Sequence, residues 1–311
     1  VSDWAERARR RPARAVTVRA PGKINLSLRC GALGSDGYHP LATTFQAVSV
    51  FEEVTATEGK GLVVEVSGPQ AEHVPTGEDN LAARAARALA EHVGVDPDVT
   101  LHLRKGVPVA GGMAGGSADA AATLVACDAL WEAGLAREEL AELAADLGSD
   151  VPFALVGHTA VGSGRGHLLS PVMTRGTFHW VLAMRSEGLP TPAVYAKFDE
   201  LTPDAAIDPD ADVDLMLALR QADPVALGAA LHNDLQAAAL VLRPELGETI
   251  EVARDAGALG AIVSGSGPTV AVLARSAQHA LVLSATLRAL GGADEVRTVR
   301  GPVQGAVVLT P

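Results

Sequence analysis

Strict alternation of polar and apolar residues marks residues 23–29 as a strand. Ile24, Leu26 and Leu28 share one face, and Lys23, Asn25 and Ser27 share the other. The polar face is either solvated or turned into a cleft, and the alternation fits both. Similar runs predict strands over residues 16–20, 43–57, 62–67, 99–104 and 178–184, then over 261–264, 269–274, 295–299 and 303–309. Pro21-Gly22 reads as a turn between the first two. Helical spacing predicts a helix after Asp79-Asn80, with Ala82, Ala85, Ala86 and Leu89 as its apolar stripe. Further helices are expected over 118–131, 137–147, 191–201, 213–221, 224–242 (broken near Asn233), 244–256 and 277–290. Helices and strands mix without regular βαβ alternation, which predicts an α+β fold. Glycine-rich residues 157–166 interrupt the pattern and place a boundary between an N-terminal domain, 15–163, and a C-terminal domain, 164–311.

The predicted strand 99–104 and the helix from 118 are joined by Pro108-Val109-Ala110-Gly111-Gly112-Met113-Ala114-Gly115-Gly116-Ser117. A glycine-rich turn feeding a helix is a ready anion site. The backbone approaches closely, its N–H groups converge, and the first helical turn adds partial positive charge. The loop reads as a phosphate cradle, most simply for a nucleoside triphosphate. It lacks the Gly-Lys-Ser/Thr ending of a P-loop, so neutralisation is left to the helix, Mg2+ and side chains from elsewhere. Ser117 can ligate Mg2+ or cap the helix. A second glycine turn, Gly265-Ser266-Gly267-Pro268, can close over substrate or phosphate from the second domain. Asp150, just before Val151-Pro152, is either a helix cap or a cleft carboxylate able to take a proton from a hydroxyl. In the second case a lysine such as Lys23 would keep it ionised and steady the developing alkoxide.

Composition narrows the function. A net charge of −12 over 311 residues argues against a general nucleic-acid binder, so an anionic ligand needs a fixed local cradle. No apolar run reaches membrane-spanning length and no leader is visible, so a cytoplasmic protein without a membrane partner is expected. Cys30 and Cys127 lie in predicted core segments without metal-ligand spacing. Residues 1–14 carry Arg7, Arg9, Arg10, Arg11 and Arg14 and read as a solvated, disordered basic tail rather than a partner-binding arm.

Three stretches then resemble, in order, the motifs of the GHMP small-molecule kinases: Pro21-Gly22-Lys23-Ile24-Asn25-Leu26, the loop from Pro108 to Ala118, and Ser264-Gly-Ser-Gly-Pro-Thr269. Asp36-Gly37-Tyr38-His39 and Leu147-Gly148-Ser149-Asp150-Val151-Pro152 resemble the branch whose acceptor is a cytidine-diphosphate-linked methylerythritol. The resemblance covers the chain except its arginine-rich tail. It implies a ribosomal-protein-S5-like N-terminal domain, a ferredoxin-like C-terminal domain, ATP, Mg2+ and phosphorylation of the acceptor's 2-hydroxyl. The chain is expected to act as a monomer or weak homodimer.

By the same resemblance, Asp150 is the base, Lys23 holds it ionised, and Asn25 orients the acceptor. Amides of Gly111, Gly112, Gly115, Gly116 and Ser117 cradle phosphates, within a nucleotide-binding run from Pro108 to Ala118. Asn80 and Lys105 lie near the adenine. Tyr38 and Tyr195, the chain's two tyrosines, flank the cytosine, His39 reads its edge, and Gly265, Ser266 and Gly267 touch substrate. Stacking is worth about 1–3 kcal/mol per base. Ala118 stands where relatives often carry a second serine, leaving Ser117 and the amides to suffice. The rival readings are a homoserine- or mevalonate-type kinase of the same family and a non-catalytic nucleotide sensor. Asp36-Gly37-Tyr38-His39 speaks against the first, the joint presence of Lys23 and Asp150 against the second.

Overall fold

The computed structural model describes residues 13–205 and 207–309. The expected basic tail lies outside them apart from its end, where Arg14 pairs with Glu132 at 2.7 Å.

The first unit is built on two long antiparallel strands, β1 (Ala15–Cys30) and β2 (Leu41–Glu58). No turn interrupts β1 at Pro21-Gly22. The chain runs through with a register shift there, since an irregularity tolerates a residue without an N–H. β3 (Leu62–Ser67) pairs in parallel with β4 (Val99–Arg104), which continues the sheet from β2. Between them runs α1 (Leu81–Val93), whose cap is Asn80.

Then come α2 (Gly115–Trp131), α3 (Arg137–Leu147) and α4 (Val151–Val156). Their apolar faces, with that of α1, meet the sheet in a core holding Val18, Val54, Leu89, Leu101, Leu124 and Leu147. α2 begins three residues before the pattern predicts. Its first turn is glycine because a Cβ on Gly115 would lie 2.9 Å from Glu52 Oε1.

The glycine-rich stretch hides a hairpin, β5 (Thr159–Ser163) and β6 (Leu168–Pro171), paired to β2 through β5. The expected boundary between 163 and 164 therefore falls inside a hairpin of the first sheet.

The second unit begins with β7 (Phe178–Met184) and continues through α5 (Thr191–Leu201), α6 (Val213–Gln221) and α7 (Pro224–Ala230). The predicted helix 224–242 is broken: β8 (His232–Asn233) leaves it to pair with β1, and α8 (Gln236–Leu242) follows. α9 (Glu245–Asp255), β9 (Gly260–Val263), β10 (Val270–Ala274), α10 (Ala277–Ala289) and β11 (Glu295–Gly301) complete an antiparallel sheet in the order β11-β7-β10-β9. β12 (Val307–Val308) returns to the first sheet beside β1.

The second sheet is covered on both faces, which is why β7 and β10 read as continuous apolar runs. Val181, Ala183, Val270 and Val272 meet α9 and α10. Trp180, Leu182, Ala271 and Leu273 meet Ile24, Leu26, Val48 and Val50 of the first sheet. This shared core fixes the units to each other.

Candidate active site

A cleft of about 600 Å³ lies between the units, walled by β1, the glycine loop and the Gly265 turn. The polar face of β1 is not solvated: Lys23 is 6% and Asn25 1% exposed. Lys23 Nζ donates to Asn25 Oδ1 at 2.7 Å, Asn25 Nδ2 to Thr43 Oγ1 at 2.8 Å, and Thr43 Oγ1 to the Ser27 carbonyl at 2.8 Å. This chain of bonds aims the ammonium, which stands 3.9 Å from Asp150 Oδ2 and 5.4 Å from the Phe45 ring centre. Burial lowers the Lys23 ammonium below the ordinary lysine range, with Asp150 opposing the fall. Asp150 precedes α4, but its carboxylate caps no backbone N–H of that helix and lies on the cleft wall.

The glycine loop is bent by Ala110, Gly112 and Ala114, all at positive φ (52°, 73° and 60°). Glycine is required at 112: a Cβ would lie 2.4 Å from the Ser264 carbonyl oxygen and 2.9 Å from that of Gly267. The two glycine turns are thus pressed together, with Ser264 Oγ donating to the Gly112 carbonyl at 3.3 Å. Gln70 Oε1 accepts from Val109 N at 2.9 Å, and the Lys23 N–H donates to the Met113 carbonyl at 3.1 Å. The loop is held before any ligand arrives, and it delivers the first turn of α2 to the cleft.

Beneath that turn, Lys105 Nζ lies 2.7 Å from Glu52 Oε1 and also pairs with Asp119, all three buried. Burial, reinforced by the Asp119 charge, pushes Glu52 up to about 7 despite Lys105. Burial alone would lower the Lys105 ammonium, but the two carboxylates raise it.

On the opposite side, Tyr195 reaches the cleft and stacks on His39, ring centres 5.0 Å apart. His39 Nδ1 donates to the Gly31 carbonyl at 2.8 Å, and Nε2 stands 3.6 Å from Asp199. Arg165, on the cleft wall, lies 3.5 Å over the Tyr38 ring.

Two family models match: the GHMP kinases N terminal domain over residues 80–158 and the GHMP kinases C terminal domain over 215–292. The chain is 56% identical over 302 residues to 4-diphosphocytidyl-2-C-methyl-D-erythritol kinase of Thermobifida fusca, covering 94% of this chain and 98% of that protein. It belongs to that kinase family. The Streptomyces coelicolor member of the 4-diphosphocytidyl-2-C-methyl-D-erythritol kinases is 53% identical, over 94% of this chain and 99% of that one. A crystal structure of 4-(cytidine 5'-diphospho)-2C-methyl-D-erythritol kinase superposes with a TM-score of 0.75 at 32% identity, covering 91% of this chain and 98% of that one. Homoserine kinase from Cytophaga hutchinsonii shares the fold, with a TM-score of 0.72 at 18% identity over 95% of this chain and 97% of that one.

Within this GHMP kinase frame, the cleft gathers Lys23, Asn25, Asn80, Lys105, Asp150, Tyr195, Gly265 and Ser266 with most of the glycine loop. Met113 and Ala118, by contrast, are fully buried in the cores, and Tyr38, His39 and Gly267 do not form its wall. Asn80 is occupied as a cap: Oδ1 accepts from Ala82 N at 2.8 Å and Nδ2 donates to the Pro75 carbonyl at 2.6 Å. Ser117 caps nothing; Ala114 holds the cap position of α2, without a side-chain bond.

Sequence reasoning missed Glu52, Arg165 and Asn233. Glu52 did carry a signal, being in phase with Val48, Val50, Val54 and Ala56 on the buried face of β2. Arg165 sat in the stretch read as a boundary.

Proposed function

We propose that the chain transfers the γ-phosphoryl group of ATP to the 2-hydroxyl of 4-diphosphocytidyl-2-C-methyl-D-erythritol, giving the 2-phosphate and ADP. The observation that carries the reading is the Lys23–Asp150 pair, 3.9 Å apart in a cleft also walled by the glycine loop. Asp150 takes the hydroxyl proton as the oxygen bonds to the γ-phosphorus and the bond to the ADP oxygen breaks, in line and without a phosphoenzyme. Lys23, immobilised through Asn25 and Thr43, stabilises the charge on the attacking oxygen. The first turn of α2 and the loop amides hold the phosphates.

Among the described residues no group of three or more His, Cys, Asp or Glu forms a metal cage. That fits Mg2+, which keeps waters and binds through one or two protein oxygens plus phosphates. Ser117, half-buried on the third residue of α2, would supply such an oxygen in this cleft. When bound, the ion would neutralise charge on the transferring phosphates. Tyr195, backed by the buried His39, and Arg165 form the side that would receive the cytidine diphosphate.

A coupled ADP-release assay with the cytidylylated acceptor, homoserine and mevalonate tests the reading. Turnover with the first alone is expected. Turnover only with the other two would reject the substrate, and none with any would reject the kinase.

A further inference from the structure

Asn233 belongs to no motif, yet it touches both units. Its backbone lies on β8, paired with Leu28 of β1, the strand that carries Lys23 and Asn25. Its side chain crosses to the Gly265 turn. Nδ2 donates to the Val263 carbonyl and to the Gly265 carbonyl, each at 2.8 Å, while Oδ1 accepts from Leu235 N at 2.9 Å. All its bonding capacity toward the turn is used, and the residue is buried.

The turn it holds is pressed on the catalytic pair. Gly265 has φ +58°, and a Cβ there would lie 3.0 Å from Asn25 Oδ1 and 3.3 Å from Lys23 Nζ. Gly265 therefore forms the roof over the ammonium, and its height is set by the bond from Asn233. The phosphate cradle meets this turn at Gly112, where Ser264 Oγ donates to the carbonyl, and has further fixings through Gln70 and the Lys23 N–H.

We propose that Asn233 is a positioning residue for phosphoryl transfer: through Gly265 it fixes the Lys23–Asn25 pair against Asp150, and it coordinates the two units at the acceptor side of the cleft. The inference rests on the kinase reading above. The same juxtaposition explains why the chain leaves the helical pattern at 232–233, since a continuous helix could not place this amide between β1 and the turn.

The test is Asn233→Ala, with ADP titrated by calorimetry and kcat followed against pH. Expected are one ADP site per chain with an affinity within about twofold of wild type. Meanwhile kcat falls about ten- to a hundredfold, the cost of misplacing a reacting group. The alkaline limb of kcat moves to higher pH as water reaches Lys23. Asn233→Asp, which sets a carboxylate oxygen against two carbonyls, falls at least as far. Should the alanine variant not fold, Gly265→Ala presses directly on the pair and must lower kcat with ADP binding kept. Wild-type kcat in either variant, or a kcat loss matched by lost ADP sites with the limb unmoved, overturns the proposal. A wild-type enzyme that binds ADP but phosphorylates nothing overturns the kinase reading beneath it.

Discussion

Lys23 Nζ and Asp150 Oδ2 stand 3.9 Å apart, and Asn25 Oδ1 takes the other side of the ammonium at 2.7 Å. The separation is too wide for a direct hydrogen bond and suits an intervening atom. An oxygen can lie about 2.8 Å from both groups at once, within reach for proton transfer to one and charge stabilisation by the other. In the proposed transfer a hydroxyl placed there meets its base and its electrostatic partner together.

Asp150→Asn keeps the shape and removes the proton acceptor. ADP affinity is expected to stay near wild type while kcat drops by about 10²–10⁴-fold. Calorimetry beside steady-state kinetics checks both halves; an undiminished kcat would leave Asp150 a bystander.

In the proposed transfer Lys23 must be charged to steady the attacking oxygen, and burial lowers its proton affinity. Activity should therefore fall on the alkaline side at a pH below the ordinary lysine value of 10.5. Lys23→Arg, which stays protonated, should lose that limb whatever its absolute rate. The pH–rate profiles of the two proteins decide the point.

Arg165 lies on the cleft wall, its guanidinium over Tyr38 and 3.4 Å from the exposed Asp36 carboxylate. Lys23 and Lys105 are each tied to buried partners, so among the described residues of the cleft wall Arg165, whose own partner is exposed, is the cation we expect to meet a diphosphate. Arg165→Ala should raise KM for the acceptor about ten- to a hundredfold, as for a lost charge-assisted bond, with KM for ATP little changed. Initial rates with each substrate varied in turn measure this.

Glu52 is raised from 4.5 to about 7 in the folded chain, chiefly by burial. Between those values the native state holds a proton the unfolded chain has released. Stability from this group is thus greatest below pH 4.5 and declines as pH rises toward 7. Glu52→Gln should flatten that decline in denaturation midpoints measured across the window. A parallel decline in the variant would assign it to other groups.

Periodicity made many elements legible, because α1 and β4 bury one clean face each and β2 alternates from Val48 onward. Three features escaped it. Pro21-Gly22 is a turn signal in isolation, but pairing along both edges of β1 carries the chain straight through. The β5–β6 hairpin is glycine-rich because a Cβ on Gly162 would lie 2.5 Å from the Gly166 carbonyl oxygen; close packing looked like a linker. Gly115 and Gly116 look like poor helix formers, yet the buried Glu52 excludes a larger residue at 115.

At the site, motif residues converge because they lie on rigid strands and turns. Asn233 and Glu52 act through three-dimensional neighbours that spacing along the chain does not encode.

The outer edge of β1 is covered by β12 near Val18 and by β8 near Leu28, both drawn from the second half of the chain. During synthesis, then, the strand bearing Lys23 waits with bare amides and carbonyls until nearly everything downstream has emerged. A fragment ending after the first sheet's own hairpin would keep that edge open to other chains and invite aggregation.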